Sequence, residues 1–213
     1  GTYLTAITQR NESGESTVLH FDELLGETQV RSVAGAANIT TDYSTEVKFG
    51  SESGSLRVAF GATTAGAAGD LNLAQSVSLS GYDEVHIWVN NAFGGRMAFY
   101  IDWKTSDSAI GDIVTGGNID AGYAVPANSG WIELVYSVEK FANASIGQFN
   151  FSLLDAVADA EGQAFYIGKM VLVNNSSRIE SLLKVLVDKE ANAYTAADIA
   201  AIKEARSVYN SLS

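Results

Sequence analysis

The feature that most constrains this chain is the run Gly81-Tyr82-Asp83-Glu84-Val85-His86-Ile87-Trp88-Val89-Asn90-Asn91. Val85, Ile87 and Val89 alternate with His86, Trp88 and Asn90, and a period of two with β-branched residues on one face is the pattern of a half-buried strand. Chain-reversing residues close both ends: Gly81 before the run, Asn90-Asn91 and Gly94-Gly95 after it. The apolar face feeds a core. The other face, with His86, Trp88 and Asn90, is either a second packing surface or one that meets a ligand. A second strand follows over Met97–Trp103, with Phe99 and Ile101 on one side and Tyr100 and Asp102 on the other. The short Gly94-Gly95 connection predicts that these two strands are antiparallel neighbours.

Further strand patterns recur along the chain. Val18-Leu19-His20-Phe21 is short, Ser55–Phe60 alternates cleanly, and Leu71–Leu73 and Val77–Leu79 are short candidates. Gly130-Trp131-Ile132-Glu133-Leu134-Val135-Tyr136-Ser137-Val138, Ile146–Leu154 and Phe165–Val173 complete the set. Residues 104–130 hold the only proline, Pro126, and are rich in Gly, Asp, Ser and Asn. They read as a long loop with a short strand at Ile110–Val114, and loops of such length in compact domains are usually functional. Short strands separated by turn residues, with no helical pattern between them, are the sequence form of a β-sandwich or jelly roll.

The pattern changes at Ser176. Ile179, Leu182, Leu183, Leu186 and Val187 recur at helical spacing, with Ser176 or Ser177 as N-cap. A second helix opens at Thr195, where Asp198 three residues on completes a capping-box-like pair. Its apolar stripe is Ile199, Ile202, Ala205 and Tyr209. The expected class is therefore mainly β, an antiparallel sandwich followed by a C-terminal pair of α-helices. The expected division is a lead-in over residues 1–17, the sandwich over 18–175 and a helical hairpin over 176–213.

Composition narrows the function classes. With 46% hydrophobic and 18% charged residues in 213, the chain is long and apolar enough for a buried core and is not a disordered polymer. No apolar run reaches the length of a membrane span. The net charge of −12 argues against nucleic acid and anionic lipid as partners. Absence of cysteine removes disulfides, a thiolate nucleophile and cysteine-ligated metals. His20 and His86 lie on different strands and form no metal-ligand spacing. No nucleophile elbow, P-loop, dinucleotide fingerprint or zinc-protease motif is present. Two of 25 acidic residues will always suit a glycosidase, so their presence discriminates nothing.

Four segments, in order and spacing, resemble the galactose-binding-like jelly-roll carbohydrate-binding modules of bacterial polysaccharide-degrading and cell-surface proteins. They are Val18–Glu23, Ser53-Gly54-Ser55-Leu56-Arg57-Val58, Gly81-Tyr82-Asp83 running into Ile87–Asn90, and Gly130-Trp131 with Val138, Phe141, Phe165-Tyr166-Ile167, Met170 and Leu172. The resemblance covers residues 18–174. It implies a non-catalytic module that binds a glycan by aromatic stacking and polar contacts. Many such modules hold a structural calcium between an early carboxylate and a Phe-Tyr-Ile-Asp-Asp strand end. Here Gly168 and Lys169 stand at those last positions, so Asp22 and Glu23 remain as candidate ligands for a weakened or shifted ion. Residues 176–213, through Ile179-Glu180-Ser181-Leu182, Thr195-Ala196-Ala197-Asp198 and Ala205–Tyr209, resemble part of a helical repeat of Gram-positive surface proteins. That implies an extracellular or wall-associated parent carrying other modules, of which this chain is a piece.

A sugar needs flat aromatic faces and side chains that fix hydroxyls. The candidate contacts are Trp103, Tyr123, Tyr100, Asp102, Trp88 and Asn90, with His86 and Glu133 as further polar groups. Trp131, at the head of a strand, reads as core. Two functions remain: a glycan-binding module, or a structural or adhesion spacer with no ligand of its own. Buried tryptophans would favour the spacer.

Overall fold

The structure is a computed structural model that describes residues 8–10, 17–20, 29–32, 38–61, 66–104, 115–141, 143–157, 161–175, 179 and 194–211. The strands are β1 (Thr8–Arg10), β2 (Thr17–His20), β3 (Gln29–Ser32), β4 (Ile39–Ser44), β5 (Ser55–Phe60) and β6 (Ala68–Ser78). They continue as β7 (Glu84–Asn91), β8 (Met97–Lys104), β9 (Thr115–Val125), β10 (Gly130–Ser137), β11 (Ser145–Leu153) and β12 (Ala164–Val173). All pairings are antiparallel, in two sheets.

In the seven-stranded sheet β12 is central. One of its edges pairs with β7, which pairs in turn with β10. Its other edge pairs with β5 over Ala164–Ile167 and with β2 over Lys169–Leu172, and β4 and β1 extend those two branches. The five-stranded sheet runs β3-β6-β11-β8-β9. The two sheets share one core, to which Val58, Val85, Ile87, Val89, Phe165 and Ile167 contribute from the first and Leu71, Phe99, Ile101, Phe149 and Phe151 from the second. Phe165 meets Phe151 at 4.9 Å and Phe99 at 6.2 Å, so aromatic rings interlock across the layers of a β-sandwich. Full burial of each such side chain contributes about 1.5–3 kcal/mol.

The expected β7–β8 hairpin does not form. β7 lies in the first sheet and β8 in the second, so residues 92–96 carry the chain across the sandwich. Neither Gly94 nor Gly95 takes the positive φ of a tight primed reversal. Gly95 is required for close approach, since a Cβ there would stand 2.8 Å from Val157 Cγ2 and 2.9 Å from Phe93 Cε1. The crossing is held by Asn91, which is fully buried. Its Nδ2 donates to Gly95 O and Pro126 O, both at 2.9 Å, and its Oδ1 accepts from Phe93 N at 2.9 Å. Phe93 behind it is buried against Phe60 at 4.7 Å. An asparagine that looked like a strand-ending turn residue is a buried polar clasp.

Residues 104–130 also depart from the loop expectation. β9 occupies 115–125 and pairs with β8, although Thr115-Gly116-Gly117-Asn118 has little intrinsic β preference. Pairing against an existing edge decides the matter, as strand propensity is largely a product of context. The expected strand at Ile110–Val114 falls outside the described residues. The two short candidates Leu71–Leu73 and Val77–Leu79 belong to the single strand β6 and the residue after it.

At the C-terminus, helix α1 spans Ala196–Ser211. Its capping box is present: Thr195 N and Oγ1 donate to Asp198 Oδ2 at 2.7 and 2.8 Å, and Asp198 N donates back to Thr195 Oγ1 at 3.3 Å. The expected apolar stripe is corrected in part. Ala205 is buried, but Ile199, Ile202 and Tyr209 are exposed. The first helix of the expected pair lies outside the described residues, so one C-terminal helix is described.

Candidate functional site

Two outer faces carry the chemistry. On the five-stranded sheet the pleat sends Leu71, Phe99, Ile101, Phe149 and Phe151 inward. Their alternate neighbours Asp70, Tyr100, Asp102 and Asn150 therefore share the outer face. Register aligns them in rows: Asp70 (β6), Asn150 (β11) and Tyr100 (β8) form one, and Gln148 stands beside Asp102 in the next. Asn72 and Asn118 occupy the register positions that extend the second row. A bulge in β11 makes this possible. Ile146 and Gln148 oppose the adjacent residues Trp103 and Asp102, so Gly147 is the extra residue that turns Ile146 into the core and Gln148 outward.

Asp102 is the unusual member. The residue is only 3% exposed, on the face that points away from the core. Asn150 Nδ2 donates to its Oδ2 at 3.1 Å, while its Oδ1 is buried with no hydrogen-bond partner among the described residues. Burial and then the charge of Asp70 push its carboxyl up from 3.8 to about 6, against the bond from Asn150. Buried polar groups are normally satisfied, and one left open at the surface of a sheet is where a ligand group would be accommodated.

The outer face of the seven-stranded sheet is different. Trp88, Glu133 and Lys169 share one cross-strand row, and Trp131, Asn90 and Tyr166 share the next. Phe49 lies between the indoles, 5.1 Å from Trp88 and 5.5 Å from Trp131, and Trp131 Nε1 donates to Lys48 O at 2.8 Å. Trp131 is thus half-buried on the outside and not in the core, because Ile132 takes the inward position. Lys169 Nζ sits 5.3 Å above the Trp88 ring. Below this cluster His86 Nδ1–H donates to Glu133 Oε1 and Nε2–H to Glu84 Oε2, each at 2.6 Å. Burial lowers the His86 pKa, but these bonds and the two negative charges outweigh it and leave it raised. Aromatic and polar groups on this face already serve one another.

The six sequence candidates therefore do not converge. Trp88 and Asn90 are on the seven-stranded sheet; Tyr100 and Asp102 are on the other, about a sandwich thickness away (~10 Å between sheets). Tyr123 is on β9 and not in a loop, and it packs on the core: its hydroxyl donates to Val135 O and its ring meets Tyr136 edge-on at 5.0 Å. Trp103 pairs with Ile146 and Gly117 on β8, and its side chain lies outside the described residues. Asp22 and Glu23 also lie outside them. At the strand end where the resemblance places calcium ligands, the donors do not fit that ion. Lys169 offers an ammonium, and Gly168 carries Phe49 so closely that a Cβ would meet Phe49 Cβ at 2.6 Å. Among the described residues no group of three metal-ligating side chains occurs. Sequence reasoning missed Asp70, Gln148 and Asn150. Their alternation with Leu71, Phe149 and Phe151 was visible, but not which strands lie side by side.

No family model matches the chain, and no curated protein matches it. Among solved structures it is similar to the glycoside hydrolase domain of Endo-D from Streptococcus pneumoniae R6, at 12% identity and TM-score 0.49 over 70% of this chain. The chain spans only 22% of that protein's length. It is similar to a family 11 carbohydrate-binding module from Clostridium thermocellum in complex with a β-1,3-1,4-mixed-linked tetrasaccharide, at 14% identity and TM-score 0.45, covering 68% of this chain and 88% of that one. A third is the CBM22-1 xylan-binding domain from Paenibacillus barcinonensis, at 17% identity and TM-score 0.44, covering 73% of this chain and 92% of that one.

Proposed function

We propose that this chain is a non-catalytic glycan-binding module that holds its ligand on the outer face of the five-stranded sheet. The observation that carries this reading is the buried, unpaired Oδ1 of Asp102, set in rows of amide and carboxylate side chains beside the half-buried ring of Tyr100. Sugar hydroxyls are donors in several directions, and carboxylates and amides on a rigid sheet accept them at fixed spacing. Tyr100 supplies a flat surface for the apolar side of a pyranose. In this reading the sandwich is a jelly roll of the galactose-binding-like group, the C-terminal residues belong to a helical repeat of surface proteins, and the parent is an exported protein with further modules.

The test is a glycan array followed by calorimetry on the best ligand. Binding should be lost in Tyr100→Ala and Asp102→Ala and kept in Trp88→Ala on the opposite sheet. A ligand lost on Trp88→Ala and kept on Tyr100→Ala would overturn the assignment of the face.

A second reading, the ligand-free spacer, draws on one observation: the Trp88 indole is taken by Phe49 and Lys169. An array with no bound glycan would put that reading first.

A further inference from the structure

The ligand's chemical class follows from what acts on Asp102. The groups that set its ionisation are burial, Asp70 and Asn150, and none of them is a cation. Two basic residues stand near it in register: Arg31 opposite Asp70 on β3, and Lys104 two residues along β8. Asp102 Oδ1 nonetheless has no hydrogen-bond partner among the described residues. The amide of Asn150 is directed to Oδ2 and supplies no charge. The outer face thus presents a buried carboxylate with one oxygen open and a second carboxylate acting on it through space.

A neutral hydroxyl would fill the hydrogen bond and leave both charges in place. An anionic sugar would add a third charge of the same sign, against a chain whose net charge is −12. An ammonium group relieves the desolvation and the repulsion together, and hydrogen bonds between ionised partners are about twice as strong as neutral ones. A bare divalent cation fits less well, since no third ligating carboxylate or histidine joins the pair among the described residues.

We propose that this face selects glycans carrying a free amino group, with Asp102 Oδ1 receiving the ammonium and Asp70 reinforcing it. This rests on the glycan-binding reading above and deepens it. The chemical class is a de-N-acetylated amino sugar within a glycan chain, in preference to its N-acetylated, neutral or uronic counterpart.

The experiment is an array that carries amino, N-acetylated, neutral and uronic forms of the same backbones, with glucosamine, N-acetylglucosamine and glucose β-1,4-hexamers among them. It is read at pH 7 and at pH 5. At pH 7 the amino form should bind roughly tenfold or more tightly than the matched neutral form, the gain of one charge-assisted contact. Uronic forms should bind weakest. The preference should narrow at pH 5, where Asp102 takes up a proton, and Asp102→Asn should abolish both the preference and its pH dependence. A thermal melt of that variant establishes that it folds. If neutral or N-acetylated forms bind and amino forms bind no tighter, this inference is overturned while the glycan-binding reading stands. If no form of any backbone binds, both fall.

Discussion

Replacing Asp102 by Asn should make the protein more stable, not less, above about pH 7. The carboxyl titrates at about 6 in the folded chain against an ordinary 3.8. The folded state therefore holds this proton more tightly than the unfolded state does. Stability falls as pH rises from about 4 to about 6 and then stays at its lower level, the reverse of an ion-paired aspartate. Raising the carboxyl that far corresponds to about 3 kcal/mol, because each tenfold change in proton affinity is worth about 1.4 kcal/mol. Some access of water to the edge of the site brings the expectation to about 2 kcal/mol. An amide keeps an oxygen to accept from Asn150 and replaces the open Oδ1 by a donor facing the charge of Asp70. The assay is urea unfolding of both proteins at pH 4, 6 and 8, followed by far-UV circular dichroism. The difference between variant and parent should be near zero at pH 4 and about 2 kcal/mol in favour of Asp102→Asn at pH 8. Other titrating groups, His86 included, cancel in that difference. Equal or lower stability of the variant at pH 8 would refute the claim that Asp102 is an unpaired buried carboxylate.

Three further outcomes are expected. Asn91→Ala should cost about 3–5 kcal/mol in urea unfolding, since it strands two buried carbonyls and one N–H at the crossing between sheets, and a loss below about 1 kcal/mol would refute the clasp. The His86 imidazole should titrate above its usual 6.5 by NMR, so its contribution to stability is complete below that pH and lost as pH rises through the folded value; Glu133→Gln should bring the titration down. Gly168→Ala should destabilise by about 1–3 kcal/mol and change tryptophan fluorescence, because the new Cβ displaces Phe49 from Trp88 and Trp131.

Placing an unsatisfied carboxylate on a sheet surface costs stability, and that cost is what distinguishes a site from a solubilising residue. The contrast with His86 is instructive. There the charge is equally sheltered, yet both ring nitrogens have carboxylate partners at 2.6 Å, so nothing is left for a ligand. The two faces of one sandwich differ in whether their buried charges are answered from within the chain.

Periodicity alone determined that this is a β protein, where β7, β8, β10, β11 and β12 run, and which of their residues enter the core. It did so because the pleat has a period of two whatever a strand pairs with. The Thr195–Asp198 cap was legible for a similar reason, since both partners lie within one turn of the same helix. Which strands are neighbours was not legible. The β7–β8 connection looks like a hairpin in sequence, and only burial of Phe93 and Asn91 between the layers sends β8 to the other sheet. β9 became a strand by pairing with β8 and not by propensity, and Tyr123 went with it into the interior. The candidate site shares that dependence. Asp102 was visible as a polar residue on one side of a strand. Its burial, the bulge that brings Gln148 beside it, and the approach of Asp70 and Asn150 from β6 and β11 were not. They arise from contacts between segments some 30 to 50 residues apart in the chain, which local pattern does not encode.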